Sequence, residues 1–297
     1  QADLFLSGYL GIDFITKGLA VYRLLDATVT FHGDLPRAGK TIRHDIHIDE
    51  FFRQGATRLF RFRFESRVDG ELVLTMTKGC AGFFTPRDLE EGKGLVFTEL
   101  ETRPLPGKKP SDWQPFVPMR GVEAYSDAQL DALRRGDLAG CFGAEFAGLP
   151  LNNPCRLPGA GGRMKLVDRI LSLDPSGGRY GLGVIRGEAD IHPDDWFLTC
   201  HFSDDQVMPG TLMYECCLHT LRVLLMRMGW VGEQDEIGWQ PVPGVGGQLK
   251  CRGQVIAATK KVDYEISLKE IGFRPEPYVI CDAVMSADGK PIVLMID

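Results

Sequence analysis

The chain lacks a long apolar run of the kind that crosses a membrane. A bilayer span needs about 20 apolar residues, and the most apolar stretch, residues 218–228, is interrupted by Arg222 and Arg227. The first residues, QADLFLSGYLGIDF, have no basic segment and no small-residue cleavage site, so no secretory signal is expected. We therefore expect no membrane partner.

The chain also has fewer basic than acidic residues. The 297 residues include 34 Lys and Arg against 40 Asp and Glu, a formal net charge of −6. An acidic chain lacks the basic surface that nucleic acids and anionic lipids require, so no nucleic-acid partner is expected. With 44% apolar and 25% charged residues, the composition is that of a globular protein, and the length suggests two domains of about 150 residues each.

No Cys-x-x-Cys pair occurs among the eight cysteines. A zinc knuckle or a thioredoxin motif is therefore not expected. Cys216 and Cys217 are adjacent within a helical pattern, where they point to different faces. We interpret the cysteines as reduced, buried thiols of a cytoplasmic protein.

An internal repeat is the most informative feature of the chain. Residues 31–48 (FHGDLPRAGKTIRHDIHI) align without a gap on residues 251–268 (CRGQVIAATKKVDYEISL), so that Gly33 meets Gly253. Both copies continue into two β-rich runs joined by Asp-Gly, a strong hairpin signal. The order helix, strand, strand, hairpin thus occurs twice.

The repeat predicts the domain organisation. We expect a first copy at 1–95, an irregular connector at 96–160 and a second copy at 161–297. Residues 163–220 of the second copy have no counterpart in the first, so we expect the front of the first copy to be missing. In the connector, Ser-Asp-Ala-Gln at 126–129 is a capping box that predicts a short helix.

In the second copy, the pattern predicts strands and one buried helix. Residues 164–172 fit a strand or a short helix, residues 179–189 fit a strand, and residues 196–202 read as extended. Pro209-Gly210 precedes a run to Met228 that is apolar almost all round, which is typical of a helix buried on nearly every side.

Three features that carry chemistry converge in residues 196–215, WFLTCHFSDDQVMPGTLMYE. His201 lies in an apolar stretch, and Gly210 lies at the start of the buried helix, where unpaired N–H groups favour an anion or a developing oxyanion. Glu215 lies among apolar residues, and burial is expected to raise the pKa of its carboxyl group. An acid and a base at neutral pH are therefore predicted.

Each feature alone has a simpler interpretation. A single histidine on an apolar stretch is more often a core residue, and Pro-Gly is ordinary at a helix start. Glu215 has the i,i+4 spacing to pair with His219 on its own helix. The combination within one short stretch favours a site.

The segment HFSDDQVMPGTLMYE resembles the active-site signature of the bacterial β-hydroxyacyl-acyl-carrier-protein dehydratases of the 3-hydroxydecanoyl type. The resemblance covers residues 163–297. The tandem arrangement, with the connector YSDAQLDALRRGDLAGCFG, is most similar to the dehydratase regions of polyunsaturated fatty acid synthases. It implies an α+β fold, a tandem (double) hot-dog in which a long central helix is wrapped by a curved antiparallel sheet.

The resemblance also implies roles for individual residues. His201 matches the catalytic histidine, and Glu215 matches the acidic position on the central helix. The N–H of Gly210 is expected to meet the thioester carbonyl, and the carbonyl of Val207 to steady the imidazole. The substrate-binding positions implied are Val207, Pro209, Gly210 and Thr211.

Two departures from the family pattern are visible. Gln206 stands where a proline is usual before Val-Met-Pro-Gly, which implies a looser loop. Glu215 stands where the enzymes that also isomerise the double bond carry Asp, so the resemblance favours dehydration alone.

The chemistry implied is the loss of water from a 3-hydroxyacyl thioester on acyl carrier protein. His201 would remove the C2 proton, Gly210 would stabilise the enolate-like oxygen, and a protonated carboxyl would deliver a proton to the departing hydroxyl. No metal and no cofactor is implied. The expected partners are the carrier protein and the neighbouring domains of a multidomain synthase. His32, His44 and His47 are interpreted as surface or structural residues.

In this family the histidine of one hot-dog works with the acid of its partner. The partner is either the first copy, whose acid would lie before Gln1, or a second chain, whose Glu215 would face His201. Two rival functions stay open at this point: a non-catalytic acyl-binding or structural module, and a thioesterase on the same fold.

Overall fold

The computed structural model describes residues 8–149, 155–232 and 238–297. The chain divides into two compact units: unit 1 comprises Gln1–Leu95, Gln240–Gly253 and Val293–Asp297, and unit 2 comprises Val96–Trp239 and Gln254–Ile292. None of the described helices is long and apolar enough to cross a membrane.

The described elements follow one another along the chain. In order they are α1 (Ile12–Thr16), β1 (Val21–Phe31), β2 (Ile42–Gln54), β3 (Thr57–Val68), β4 (Glu71–Phe84), α2 (Pro86–Glu90), α3 (Glu99–Thr102), β5 (Glu123–Tyr125), α4 (Asp127–Arg134), α5 (Leu138–Phe142), a 3₁₀ turn (Ala144–Phe146), β6 (Arg169–Asp174), β7 (Val184–Asp190), α6 (Trp196–Cys200), α7 (Gly210–Arg227), β8 (Gly246–Cys251), β9 (Lys261–Gly272), β10 (Tyr278–Ala287) and β11 (Lys290–Ile296).

Unit 1 is built on antiparallel strands in the order β2-β3-β4-β1-β8. Residues 293–296 of β11 pair with β8. One face of this sheet carries an aromatic core around Phe60, Phe62 and Phe83. Alternation along each strand places these rings on the same face.

Unit 2 combines a long helix with antiparallel strands in the order β10-β9-β7-β6-β5. Helix α7 packs against β7, β9 and β10, and 12 of its 18 residues are buried. The expected central helix packed on an antiparallel sheet is therefore confirmed in this unit, which has the α+β organisation of a hot-dog fold.

Helix α7 ends where its sequence requires. Gly229 has a φ of +96°, and its N–H bonds to the Met226 carbonyl while the N–H of Trp230 bonds to the Leu225 carbonyl. This is the Schellman arrangement, which uses the freedom of glycine to satisfy the last carbonyl groups of a helix.

The internal repeat is visible in the structure. The predicted Asp-Gly hairpins are confirmed at 69–70 and 288–289, where all four residues have positive φ angles, as a type I′ turn needs. Within unit 1, β1 and β8 pair so that Thr28 lies opposite Gln248, its own counterpart in the repeat. The two equivalent strands therefore meet about a local two-fold axis.

Two secondary-structure predictions are wrong. Residues 196–202, expected to be extended, contain helix α6, because Asp195 starts a turn in which its carbonyl accepts from the N–H of Leu198. The strand predicted at 179–189 begins only at Val184, because glycines with positive φ at 178, 181 and 183 hold the preceding residues in turns. The ambiguous segment 164–172 contributes the start of β6.

Other expectations are confirmed. The capping box begins α4, where the Ser126 and Gln129 side chains satisfy each other's backbone N–H groups. All eight cysteines are free, and five of them are buried: Cys141, Cys155, Cys216, Cys217 and Cys251. Cys200 is exposed, in contrast to the buried position expected of it.

Candidate active site

His201 lies directly after α6, in a loop that a pair of hydrogen bonds closes. Its ring Nδ1 lies 2.8 Å from the carbonyl oxygen of Val207, and the Val207 N–H donates to the His201 carbonyl over 2.9 Å. The ring stacks on Phe202, with 3.9 Å between the ring centroids. These contacts fix the orientation of the imidazole.

The contact with Val207 also selects the tautomer of His201. A carbonyl oxygen only accepts, so Nδ1 must carry the hydrogen of the neutral ring. The other nitrogen, Nε2, is then left with a free lone pair. The arrangement makes Nε2 the basic atom of the site.

Val207 is itself held in place by a neighbouring segment of unit 2. It forms an antiparallel bridge with Ile256, and the N–H of Met208 donates to the Val255 carbonyl over 2.9 Å. Val207 is only 4% exposed. The carbonyl that orients the histidine is therefore part of a rigid, buried backbone.

Gly210 is the first residue of α7. The N–H groups of Leu212 and Met213 bond to the Pro209 carbonyl, but in the part of the chain that is described, those of Gly210 and Thr211 take part in no hydrogen bond. A Cβ at Gly210 would meet nothing within 4 Å. The helix start thus offers two free donors to open space, where the helix dipole favours a negatively charged oxygen.

Glu215 lies in the second turn of α7 and is paired on its own helix. Its Oε1 lies 3.1 Å from His219 Nε2 and 3.2 Å from Arg222 Nη1. The contact with His219 is the largest cause that lowers the pKa of this carboxyl group; burial opposes it, and the charge of Arg222 adds to the lowering. Glu215 is therefore a carboxylate at neutral pH.

The expectation of a raised pKa for Glu215 is wrong. Apolar neighbours alone would have raised it, but two nitrogen-bearing side chains on the same helix stabilise the charged form. The i,i+4 pairing with His219 is confirmed. Arg222 was missed, although its spacing of seven residues, close to two helical turns, places it on the face of Glu215.

The predicted residues fall into two groups in the structure. His201, Val207, Pro209, Gly210 and Thr211 lie in one loop and the helix start that follows it. Glu215 contacts His219 and Arg222, and no hydrogen bond or ion pair within the described ranges joins it to His201. The role of each residue stays a prediction.

The first-copy histidines lie on the surface, as expected. His32 and His44 are exposed and contact the hydroxyl groups of Thr75 and Ser66, and His47 is exposed on β2. Over the described residues, no three His, Cys, Asp or Glu side chains are grouped as a metal site requires.

Comparison with known proteins places the candidate site within a matched region. Residues 157–295 match the model of the FabA-like domain. The chain is 35% identical over 288 residues to a polyunsaturated fatty acid synthase subunit of Thraustochytrium sp., an alignment that covers 95% of the chain and 19% of that protein. The chain thus spans about a fifth of the length of this relative.

Solved structures show only a distant likeness. A "MaoC-like dehydratase" is 13% identical with a TM-score of 0.39, and the alignment covers 96% of this chain and 79% of that one. A "12:0-ACP thioesterase" from Umbellularia californica is 10% identical with a TM-score of 0.42, covering 95% and 74%. These values are too low to bear on function.

Proposed function

We propose that the chain dehydrates 3-hydroxyacyl thioesters to trans-2-enoyl thioesters, a function that the match of residues 157–295 to the FabA-like domain supports. The observation that carries the proposal is the His201–Val207 contact, which leaves Nε2 basic, a few residues before a helix start with a free Gly210 N–H. A base and an oxyanion donor are the two groups that removal of a proton next to a thioester carbonyl requires.

The first step is removal of the C2 proton by His201 Nε2. The electron pair of the broken C–H bond moves toward the thioester carbonyl, whose oxygen becomes enolate-like. The N–H of Gly210, at the positive end of α7, would donate to this oxygen. Because the donor is fixed by the backbone, it needs no reorganisation when the charge develops.

The second step expels the 3-hydroxyl group. The enolate electrons form the C2–C3 double bond as the C3–O bond breaks, and the leaving hydroxide takes the proton held on His201 to become water. Because Glu215 is ionised, it would accept a hydrogen bond from the 3-hydroxyl and orient it. In this mechanism Glu215 does not act as the acid that the sequence predicted, because its carboxyl group is ionised.

The setting that the relative supports is a multidomain synthase. That relative is a subunit of a polyunsaturated fatty acid synthase, and on such an assembly the acyl group would be delivered by acyl carrier protein. Pairing of two hot-dogs would bring the carboxylate and the imidazole to one substrate. We place this activity in the cytoplasm.

Hydration of a short trans-2-enoyl thioester, the reverse reaction, tests the proposal. We expect the protein to remove the ultraviolet absorbance of the enoyl thioester and to form the 3-hydroxyacyl thioester. Release of free thiol would instead indicate a thioesterase. Binding without either change would indicate a non-catalytic acyl-binding module.

A further inference from the structure

We propose that Arg222 is a positioning residue that holds one oxygen of the Glu215 carboxylate and leaves the other oxygen for the 3-hydroxyl group of the substrate. The inference rests on the proposed function and adds to it a residue outside the loop 201–211.

The geometry around Glu215 is one-sided. His219 Nε2 and Arg222 Nη1 both approach Oε1, at 3.1 and 3.2 Å. Oε1 is thus the oxygen nearer to both nitrogens, and within the described residues Oε2 takes part in no hydrogen bond. A carboxylate held through Oε1 keeps the lone pairs of Oε2 available to a hydroxyl group.

Two contacts restrict the partners of Glu215. His219 is fully buried in the core of unit 2, so it contacts the Glu215 carboxylate from the buried side. The Arg222 guanidinium lies 6.0 Å from the ring centroid of Trp239, a cation–π distance that restrains a long side chain. The Arg222 side chain is 17% exposed, against 28% for Glu215, so the carboxylate is the more accessible member of the pair.

The ion pair of Glu215 and Arg222 is expected to contribute little to the stability of the protein. Partly exposed ion pairs contribute about 0–1 kcal/mol to stability, while the stability of α7 comes from its buried apolar residues. The other titratable groups that act on this part of the helix are Tyr214, Cys217 and, from β10, Cys281. None of them is a cation that could replace Arg222.

The test compares Arg222→Ala and Arg222→Lys with the matched control Arg186→Ala. Arg186 forms an ion pair with Glu265 on β7 and β9, and both side chains are about half exposed. We expect Arg222→Ala to lower kcat for enoyl thioester hydration about tenfold or more, with a KM change below about threefold, since the lost contact orients a group rather than binding substrate. Arg222→Lys and added guanidinium should restore part of the rate, and the control should keep the parent rate.

A second measurement does not depend on activity. The Glu215 carboxyl carbon, followed by carbon-13 NMR in the full chain, should titrate at higher pH in Arg222→Ala than in the parent. An unchanged titration of Glu215 would overturn the inference about Arg222, whether or not the parent protein is active. An inactive parent protein would refute the proposed function. An unchanged kcat in Arg222→Ala would also overturn the inference. So would a loss of kcat that comes with a lowered Tm and that neither added guanidinium nor Arg222→Lys restores.

Discussion

The imidazole of His201 and the backbone carbonyl of Val207 are joined by a contact of 2.8 Å, and the Val207 N–H bonds back to the His201 carbonyl. This reciprocal pair fixes both the direction and the tautomer of the ring. The base at the centre of the proposed reaction is thus oriented by backbone rather than by another side chain.

The first prediction concerns the basic nitrogen. Replacing His201 with Asn keeps a donor that can reach the Val207 carbonyl but removes the atom that takes the proton. We expect kcat for hydration to fall by about 10²–10⁴, the usual contribution of general base catalysis, with Tm kept close to that of the parent. A parent-like rate in His201→Asn would rule out the proposed base.

The second prediction uses Gly210, where two substitutions separate the N–H from the side chain. Proline is favoured at the first position of a helix, and Pro209 has φ −57° and ψ 137°, a conformation that a following proline tolerates. Gly210→Pro removes the N–H and adds a small ring, and we expect kcat to fall by about 10²–10³. Gly210→Ala keeps the N–H and meets no atom within 4 Å, so it is the control.

If both Gly210 variants keep the parent rate, the helix start does not hold the oxyanion. If both variants lose activity equally, the space around Gly210 matters for the reaction, and its N–H donor does not. Steady-state hydration rates, with circular dichroism to confirm folding, distinguish these results.

The third prediction concerns pH and Glu215. Its pKa lies below the usual glutamate value, so the carboxylate is present above that pKa and is lost as the pH falls through it. We expect the carboxyl carbon of Glu215, followed by carbon-13 NMR and assigned by its loss in Glu215→Gln, to titrate below 4.5. A titration of this carbon at or above 4.5 would contradict the prediction.

The fourth prediction concerns the end of α7, where Arg227 bonds to both carboxylate oxygens of Glu123 at 2.6 and 2.7 Å. Burial tends to raise the pKa of Glu123, but the hydrogen bonds from Arg227 and Tyr125 outweigh it and the pKa is lowered. The ion pair therefore makes its full contribution to stability at pH values above the pKa of Glu123 in the unfolded chain. This contribution is lost as the pH falls through the lower pKa of Glu123 in the folded protein.

Glu123→Gln takes the charged bidentate partner from Arg227, which is 4% exposed, and leaves it only the longer ion pair with Glu145 at 3.8 Å. We expect a loss of roughly 3 kcal/mol in the free energy of unfolding at pH 7, and a smaller loss at pH values below the folded pKa. Glu265→Gln, which breaks an exposed pair, should cost less than about 1 kcal/mol. Urea unfolding at several pH values makes the comparison, and equal losses in the two variants would contradict it.

The fifth prediction compares equivalent positions of the repeat. Ile266 on β9 is fully buried, whereas its counterpart Ile46 on β2 is 37% exposed. Ile266→Ala should cost about 2–5 kcal/mol, and Ile46→Ala less than about 1 kcal/mol. Denaturant unfolding of the two variants tests whether burial, rather than residue type, sets the cost; similar losses would contradict the observed burial.

Much of the site could be predicted because its parts are close in sequence. His201, Val207 and Gly210 lie within ten residues, and the hairpins and α7 follow from local patterns. The charge state of Glu215 was not predicted correctly, since the prediction rested on its apolar sequence neighbours and left out Arg222. The short helix α6 was missed because a run of five mostly apolar residues fits a strand and a helical turn equally well.

The central claim is that His201 moves the proton at C2 of the acyl group. Incubation of a 3-hydroxybutyryl thioester in deuterated water, with deuterium at C2 followed by mass spectrometry, measures that step directly. The account predicts rapid incorporation by the parent protein and a rate about 10²–10⁴ lower in folded His201→Ala. Equal incorporation by the two proteins would contradict it.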